Sequence, residues 1–174
     1  MPTPIPRGAS VERAIEVGTD DLGDQQLANA SAGMRLALIA ESFRRLTGGD
    51  LVDPVADLAA GLWTAPRVIL AHGTQADPIF FYGNRMALEL FELSARALTG
   101  MPSRLSAEAP VREERARLLE RVSADGYIAD YSGVRISATG RRFRIAQAVV
   151  WNLIDGAGTV HGQAASFDRW ERLD

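Results

Sequence analysis

Few side chains in this sequence are of types that carry out covalent or metal chemistry. Among its 174 residues there is no cysteine, which removes disulfides, thiolate metal ligands and thiol nucleophiles together. The two histidines, His72 and His161, lack carboxylates at the spacing of a zinc site or an iron facial triad, so no metal is expected. His72, Asp77, Asp130 and Tyr131 supply acid–base groups. No spacing joins them into a nucleophile–base pair or a paired-carboxylate site, so the chain is not expected to be an enzyme. His72, beside Gly73 at a strand end, reads as a ring hydrogen-bonded to backbone, with a pocket wall or a pH-sensitive contact as the functional alternative.

The arginines fall into two groups. Arg135, Arg141, Arg142 and Arg144 gather around one hairpin, a local basic patch that could meet an anion. Arg112, Arg115, Arg117 and Arg121 alternate with glutamates at helical spacing and read as a solvated face. The net charge of −3 and the lack of interleaved exposed aromatics argue against a nucleic-acid partner. No run approaches the roughly 18 apolar residues that span a bilayer, and the N-terminus lacks the pattern of a secretory signal. No membrane partner and a cytoplasmic location are expected. With 47% hydrophobic and 24% charged residues, the composition suits a globular domain with a real core.

The elements that must position these residues follow from periodicity. Residues 1–30, rich in Pro, Gly, Asp, Gln and Asn, read as a flexible tail with a short helix conceivable over Val11–Val17. Residues 31–66 read as a helical extension. In it Leu36, Ile39, Ala40, Phe43 and Leu46 share one helical face that Gly48 terminates, and a second helix starts at Asp53-Pro54. Residues 67–174 carry strands at Arg67–His72 and Ile79–Tyr82, helices at Asn84–Leu93 and Pro110–Ser123, and strands at Tyr127–Ser137, Arg142–Ile154 and Thr159–Trp170. Thr139-Gly140 and Asp155-Gly156-Ala157-Gly158 provide the hairpin turns. Strict alternation puts Phe143, Ile145, Gln147, Val149, Trp151 and Leu153 on one face of the central strand. Its run AQAVVWNLI is nearly continuously apolar, so both faces want cover. The helices of 84–123 suit one face. The helix Met34–Leu46 suits the other, on its own sheet or that of a second copy.

This order of elements resembles that of a PAS domain. PIFFYGNRMALELFELSARALTGMP is similar to the opening pattern of PAS domains, and DGAGTVHGQAASF resembles the turn between their last two strands. More specifically, AHGTQADPIFFYGN, ALELFELS, MPSRLSAEAPVREERARLLERV and GYIADYSGVRISATGRRFRIAQAVVWNLIDGAGTVHGQAASF look like the MEKHLA family, over about residues 35–170. The resemblance implies an α+β, PAS-like fold. Its antiparallel sheet would have about five strands, with helices on one face and the N-terminal helical extension covering the other.

It also implies a sensory role and frames the cofactor question. Ser103 stands where light-oxygen-voltage domains carry their adduct-forming cysteine, so a covalent flavin photoadduct is excluded. Only Arg104 matches a residue those domains use on the flavin phosphate. Neither histidine lies where haem-binding PAS domains place the axial ligand. The cofactor is therefore unknown. The candidate ligand pocket comprises His72, Tyr82, Phe91, Arg104, Phe143, Gln147, Trp151 and Gln163. Phe143 and Trp151 are also natural core residues, and Gln147 would need buried partners. Asn84 reads as a helix N-cap with no ligand role.

Three functions are consistent with this reading. The first is a sensory or small-ligand-binding domain that acts in signalling through a separate output partner, with homodimerisation expected. The second is a ligand-free interaction or homodimerisation module. The third is a small enzyme.

Overall fold

A computed structural model describes residues 21–54, 56–108 and 112–173 of the chain. The part of the expected tail up to residue 20, with the helix considered over Val11–Val17, lies outside the described residues. From Asp21 onward the expected flexible tail is instead a helix, α1 (Asp21–Ala32). Its buried residues are the alanines Ala28 and Ala32, too small to give a visible apolar period. Polar contacts hold it: Asp21 accepts from Trp63 Nε1 at 3.2 Å, and Asp24 accepts from the Ala95 N–H at 2.8 Å.

Helix α2 (Arg35–Thr47) follows and ends at Gly48, whose φ of 76° a side chain would resist. Helix α3 (Leu58–Thr64) starts later than Asp53-Pro54 suggested. Asp57 is its N-cap, accepting from the Ala60 N–H at 3.2 Å. Strands β1 (Val68–His72) and β2 (Phe80–Gly83) then pair antiparallel. They lead into α4 (Arg85–Phe91) and α5 (Ala95–Leu98). A 3-10 turn (Ser103–Ser106) precedes α6 (Arg112–Asp125). The chain finishes with β3 (Tyr127–Ile136), β4 (Arg142–Ile154), β5 (Val160–Phe167) and β6 (Trp170–Leu173).

Asn84 ties the helices to the sheet. Its Oδ1 caps α4 at the Ala87 N–H and also accepts from Ile69 N, each at 3.1 Å. Its Nδ2 donates to Leu62 O at 3.1 Å and to Arg67 O at 2.8 Å. This fully buried amide thus joins α3, β1 and α4 with every hydrogen-bonding position used.

The antiparallel sheet has six strands in the order β2-β1-β5-β4-β3, with β6 also on β4. β5 pairs with β4 over 149–154 and β6 pairs with it over 142–145. The last two strands thus share one lane beside β4, and the sheet has one strand more than the about five that the resemblance implied.

The strict alternation expected along β4 fails at one residue. Gln147 has a φ of 53°, and on β3 the partner of Ile145 is Gly133 while that of Ala148 is Tyr131. This extra residue is a bulge that shifts the phase of the strand. Phe143, Ile145, Ala148 and Val150 therefore share one face, and Val149, Trp151 and Leu153 lie on the other. The expected single face of Phe143 through Leu153 is corrected accordingly.

The two faces are covered by different helices, as expected. On the first, Phe143 meets Phe91 of α4 and Val150 clusters with Val122 of α6 and Ile128. α5 presses on the same face: a Cβ at Gly83 would lie 2.2 Å from Leu98 Cδ2. On the second, Trp151 donates to Ile39 O of α2 and stacks edge to face on Phe43 with centroids 5.0 Å apart. Such a pair contributes about 0.5–1.5 kcal/mol beyond the area it buries. Both sides of β4 are thus covered within one chain.

Candidate functional site

The space between the sheet and α4–α6 is the first place to look for a ligand. Phe91 ends α4 and Phe143 begins β4, and their rings meet edge to face at 5.2 Å. Leu98 and Val122 pack on the same side of the sheet. All four are 2% exposed or less. Side chains occupy this interior.

The other residues expected to line a common pocket are dispersed. Trp151 faces α2 on the opposite side because of the Gln147 bulge. Gln147 itself is exposed and accepts from Arg169 Nη1 at 3.1 Å; a left-handed bulge residue turns outward instead of joining the core. Tyr82 pairs with Ala71, whose next partner Ala164 faces Trp151, so it belongs to the α2 side of the sheet. Its hydroxyl is buried without a hydrogen-bond partner among the described residues, and burial pushes its pKa up. Arg104 is at the surface, its Nε 3.2 Å from Asp77 Oδ2.

His72 and Gln163 do come together, as register partners between β1 and β5. His72 Nδ1 lies 3.0 Å from Gly73 O, the backbone contact expected of a strand-end histidine. Gln163 donates to Asn152 Oδ1 at 3.3 Å, and Asn152 donates to Val122 O. His161 lies 2.8 Å from Asp155 Oδ2. That hydrogen bond first, and the Thr159 and Ala157 N–H groups with it, hold the Asp155 carboxyl below its ordinary range. Among the described residues no group of three His, Asp or Glu side chains is placed to hold a metal ion.

A groove of about 410 Å³ opens where α4 ends against the β3–β4 hairpin and β6. Leu90, Phe143 and Leu173 give it an apolar lining, while Arg141, Arg142 and Arg172 stand near Glu89 and Glu92. Glu92 organises this corner. It closes α4 with a φ of 56°, and its Oε2 accepts from Ser137 Oγ at 2.6 Å and from the Thr139 hydroxyl. Arg141 Nε is 3.6 Å from its Oε1. The Ser137 and Thr139 hydrogen bonds, ahead of the fields of Arg141 and Arg172, keep the Glu92 carboxyl below the usual range. Ala138 N donates to Phe91 O at 2.9 Å, which fastens the hairpin to α4.

The arginine cluster was legible in sequence, but its division was not. Arg142 is engaged by Glu108 at 2.7 Å. Arg135 donates to the Tyr131 hydroxyl at 2.8 Å, and Arg144 lies one residue from Phe143 and so on the far face. Glu92 was missed because 45 positions separate it from Ser137, and a lone glutamate at a helix end gives no sequence signal. A second groove, of about 500 Å³, contains Asp21 and Arg85. Those two charges already face each other at 3.7 Å.

Comparison with known proteins fits this geometry. Residues 34–172 match the model of the MEKHLA domain. The homeobox-leucine zipper protein HOX29 of Oryza sativa subsp. indica is 26% identical over 142 residues, covering 78% of this chain and 16% of its own length. The homeobox-leucine zipper protein ATHB-9 of Arabidopsis thaliana is 25% identical over 170 residues, covering 92% of this chain and 20% of its own. The chain thus spans only about a fifth or less of these curated relatives. The crystal structure of a PAS domain from Colwellia psychrerythraea superposes with a TM-score of 0.52 at 14% identity, covering 66% of this chain and 92% of that one. The fold is therefore PAS-like. No catalytic family is indicated by these matches.

One expectation is overturned. Net charge and composition argued against a nucleic-acid partner, yet the relatives are homeobox-leucine zipper proteins, which bind DNA. The matched region is only part of those relatives, so its own charge does not report on what they bind. A flavin, the cofactor of light-oxygen-voltage domains, does not fit here. Phe91 and Phe143 pack ring to ring in the interior, and Arg104, the one matching phosphate contact, is engaged by Asp77. Among the described residues no helix is long and apolar enough to cross a membrane.

Proposed function

This chain belongs to the MEKHLA domain family, and we propose that it acts as a sensory module: binding on the α4–α6 side of the sheet is relayed to helix α2 and from there to an output partner. The observation that supports this reading is the division of β4. Its first half presents Phe143 to α4, and its second half presents Trp151 to α2. One strand therefore connects both helical layers, so a shift at Phe143 bears on the seat of Ile39 and Phe43. Two further bonds secure that seat, with Ser42 Oγ accepting from Ile154 N at 2.9 Å and Arg45 Nη1 donating to Ile154 O at 2.9 Å.

The output partner in this reading is a protein of the kind for which the relatives are named, with the module reporting a small molecule to it. Hydrogen exchange tests the relay. Phe143→Leu should speed exchange in residues 35–47 relative to the rest of the sheet, whereas Val160→Ala, at an exposed site, should not. Unchanged protection of α2 in the Phe143 variant would remove the support for a relay.

A further inference from the structure

We propose that the groove between the end of α4, the β3–β4 hairpin and β6 is a binding site for a small carboxylate with an apolar body, held by Arg141 and Arg172. This rests on the sensory reading and supplies it with a site and a ligand class. On this side of the sheet Phe91 and Phe143 pack ring to ring in the interior, and the groove opens at its margin. The groove's volume of about 410 Å³ lies within the range of roughly 300–1,000 Å³ that small-molecule sites occupy.

The chemistry follows from which charges are already engaged. Arg142 pairs with Glu108, so it offers a ligand little. The Arg172 side chain makes no hydrogen bond or ion pair among the described residues, and its charge acts on Glu92. Arg141 shares Glu92 at 3.6 Å, a loose contact that leaves guanidinium donors over. Glu92 is locked by Ser137 and Thr139, so its charge aligns Arg141 without closing the groove. Two arginines lining one groove with Leu90, Phe143 and Leu173 suit a carboxylate whose body lies on that apolar lining. The lining also reaches Phe143, the residue from which the relay would start.

The test uses the full chain and three probes: 3-phenylpropionate, its neutral analogue 3-phenylpropanol, and inorganic sulfate. Calorimetry should show saturable binding of 3-phenylpropionate, with 3-phenylpropanol and sulfate each at least about tenfold weaker, the scale on which losing one charged contact acts. Arg141→Gln with Arg172→Gln should weaken 3-phenylpropionate by a similar factor or more, with circular dichroism confirming the fold, while Arg96→Gln leaves it unchanged. Lack of saturation by 3-phenylpropionate, equal binding of 3-phenylpropanol, or undiminished binding by the double variant would each overturn the site. Saturable, arginine-dependent binding that leaves hydrogen exchange of residues 35–47 unaltered upholds the site and overturns only the relay.

Discussion

Trp151 Nε1 donates to the backbone carbonyl of Ile39 at 3.1 Å, joining residues 112 positions apart in a fully buried contact between sheet and helix. An aromatic ring alone could have packed under α2 at several rotations. The N–H to one particular carbonyl fixes which turn of the helix sits over β4.

Trp151→Phe removes that donor while keeping a ring against Phe43. The variant should lose about 1–3 kcal/mol in urea unfolding, from the missing hydrogen bond and the smaller buried area. Exchange in residues 35–47 should accelerate more than exchange in β1. Uniform acceleration would mean that the bond contributes to global stability without positioning α2.

Asn84→Ala strips four hydrogen bonds from a fully buried position and uncaps α4. The expected loss is on the order of 3 kcal/mol, because Ile69 N and the two carbonyls are left without their partner as well. Asn84→Asp keeps the cap but cannot donate, so it should also be strongly destabilised. A loss below about 1 kcal/mol in the alanine variant would contradict this role.

Glu92 should confer a pH dependence of one sign. Its folded-state pKa is lowered, so the native protein binds this proton more weakly than the unfolded chain does. The resulting stabilisation is complete above the ordinary glutamate pKa, roughly 4.3, and is lost as pH falls through the lower folded value. Glu92→Gln should therefore melt below the parent at pH 7, with the gap narrowing towards pH 3. Melting curves across that range decide it, and a gap that widens on acidification would be the wrong sign.

Gln147→Gly should be neutral to stabilising by up to about 1 kcal/mol, since glycine adopts a φ of 53° without a steric cost. The lost contact to Arg169 is solvent-exposed and contributes little. Gln147→Val places a β-branched side chain in that conformation and should be destabilising. Chemical denaturation of the pair distinguishes a bulge from a regular strand.

Much of the fold was legible because its signals are local. The apolar face of α2, the cap at Asn84 and the turns at Gly140 and Gly158 each follow from a few neighbouring residues. The unbroken apolar run of β4 correctly implied cover on both sides. What alternation alone could not reveal was Gln147, since nothing in a glutamine marks a left-handed backbone. That one residue reassigned Trp151 to the face of α2 and dissolved the expected pocket. Helix α1 was hidden for a different reason: alanines and aspartate contacts hold it where a strong apolar stripe would have announced it. The groove depends on residues of α4, the hairpin and β6 meeting in space, which no single stretch of sequence records.

The borders of the sheet at β2 and at β3 bear on how the protein behaves at high concentration. At the β2 border, Phe80 already exchanges backbone bonds with Gly100 and Met101, so the chain itself occupies the start of that edge. At the β3 border the register slips between Ile128 and Tyr131 and again between Tyr131 and Gly133. An incoming strand would meet kinks there instead of a straight ladder. Growth by edge-to-edge stacking at these two borders, the ordinary route from an open sheet to fibres, is thereby disfavoured.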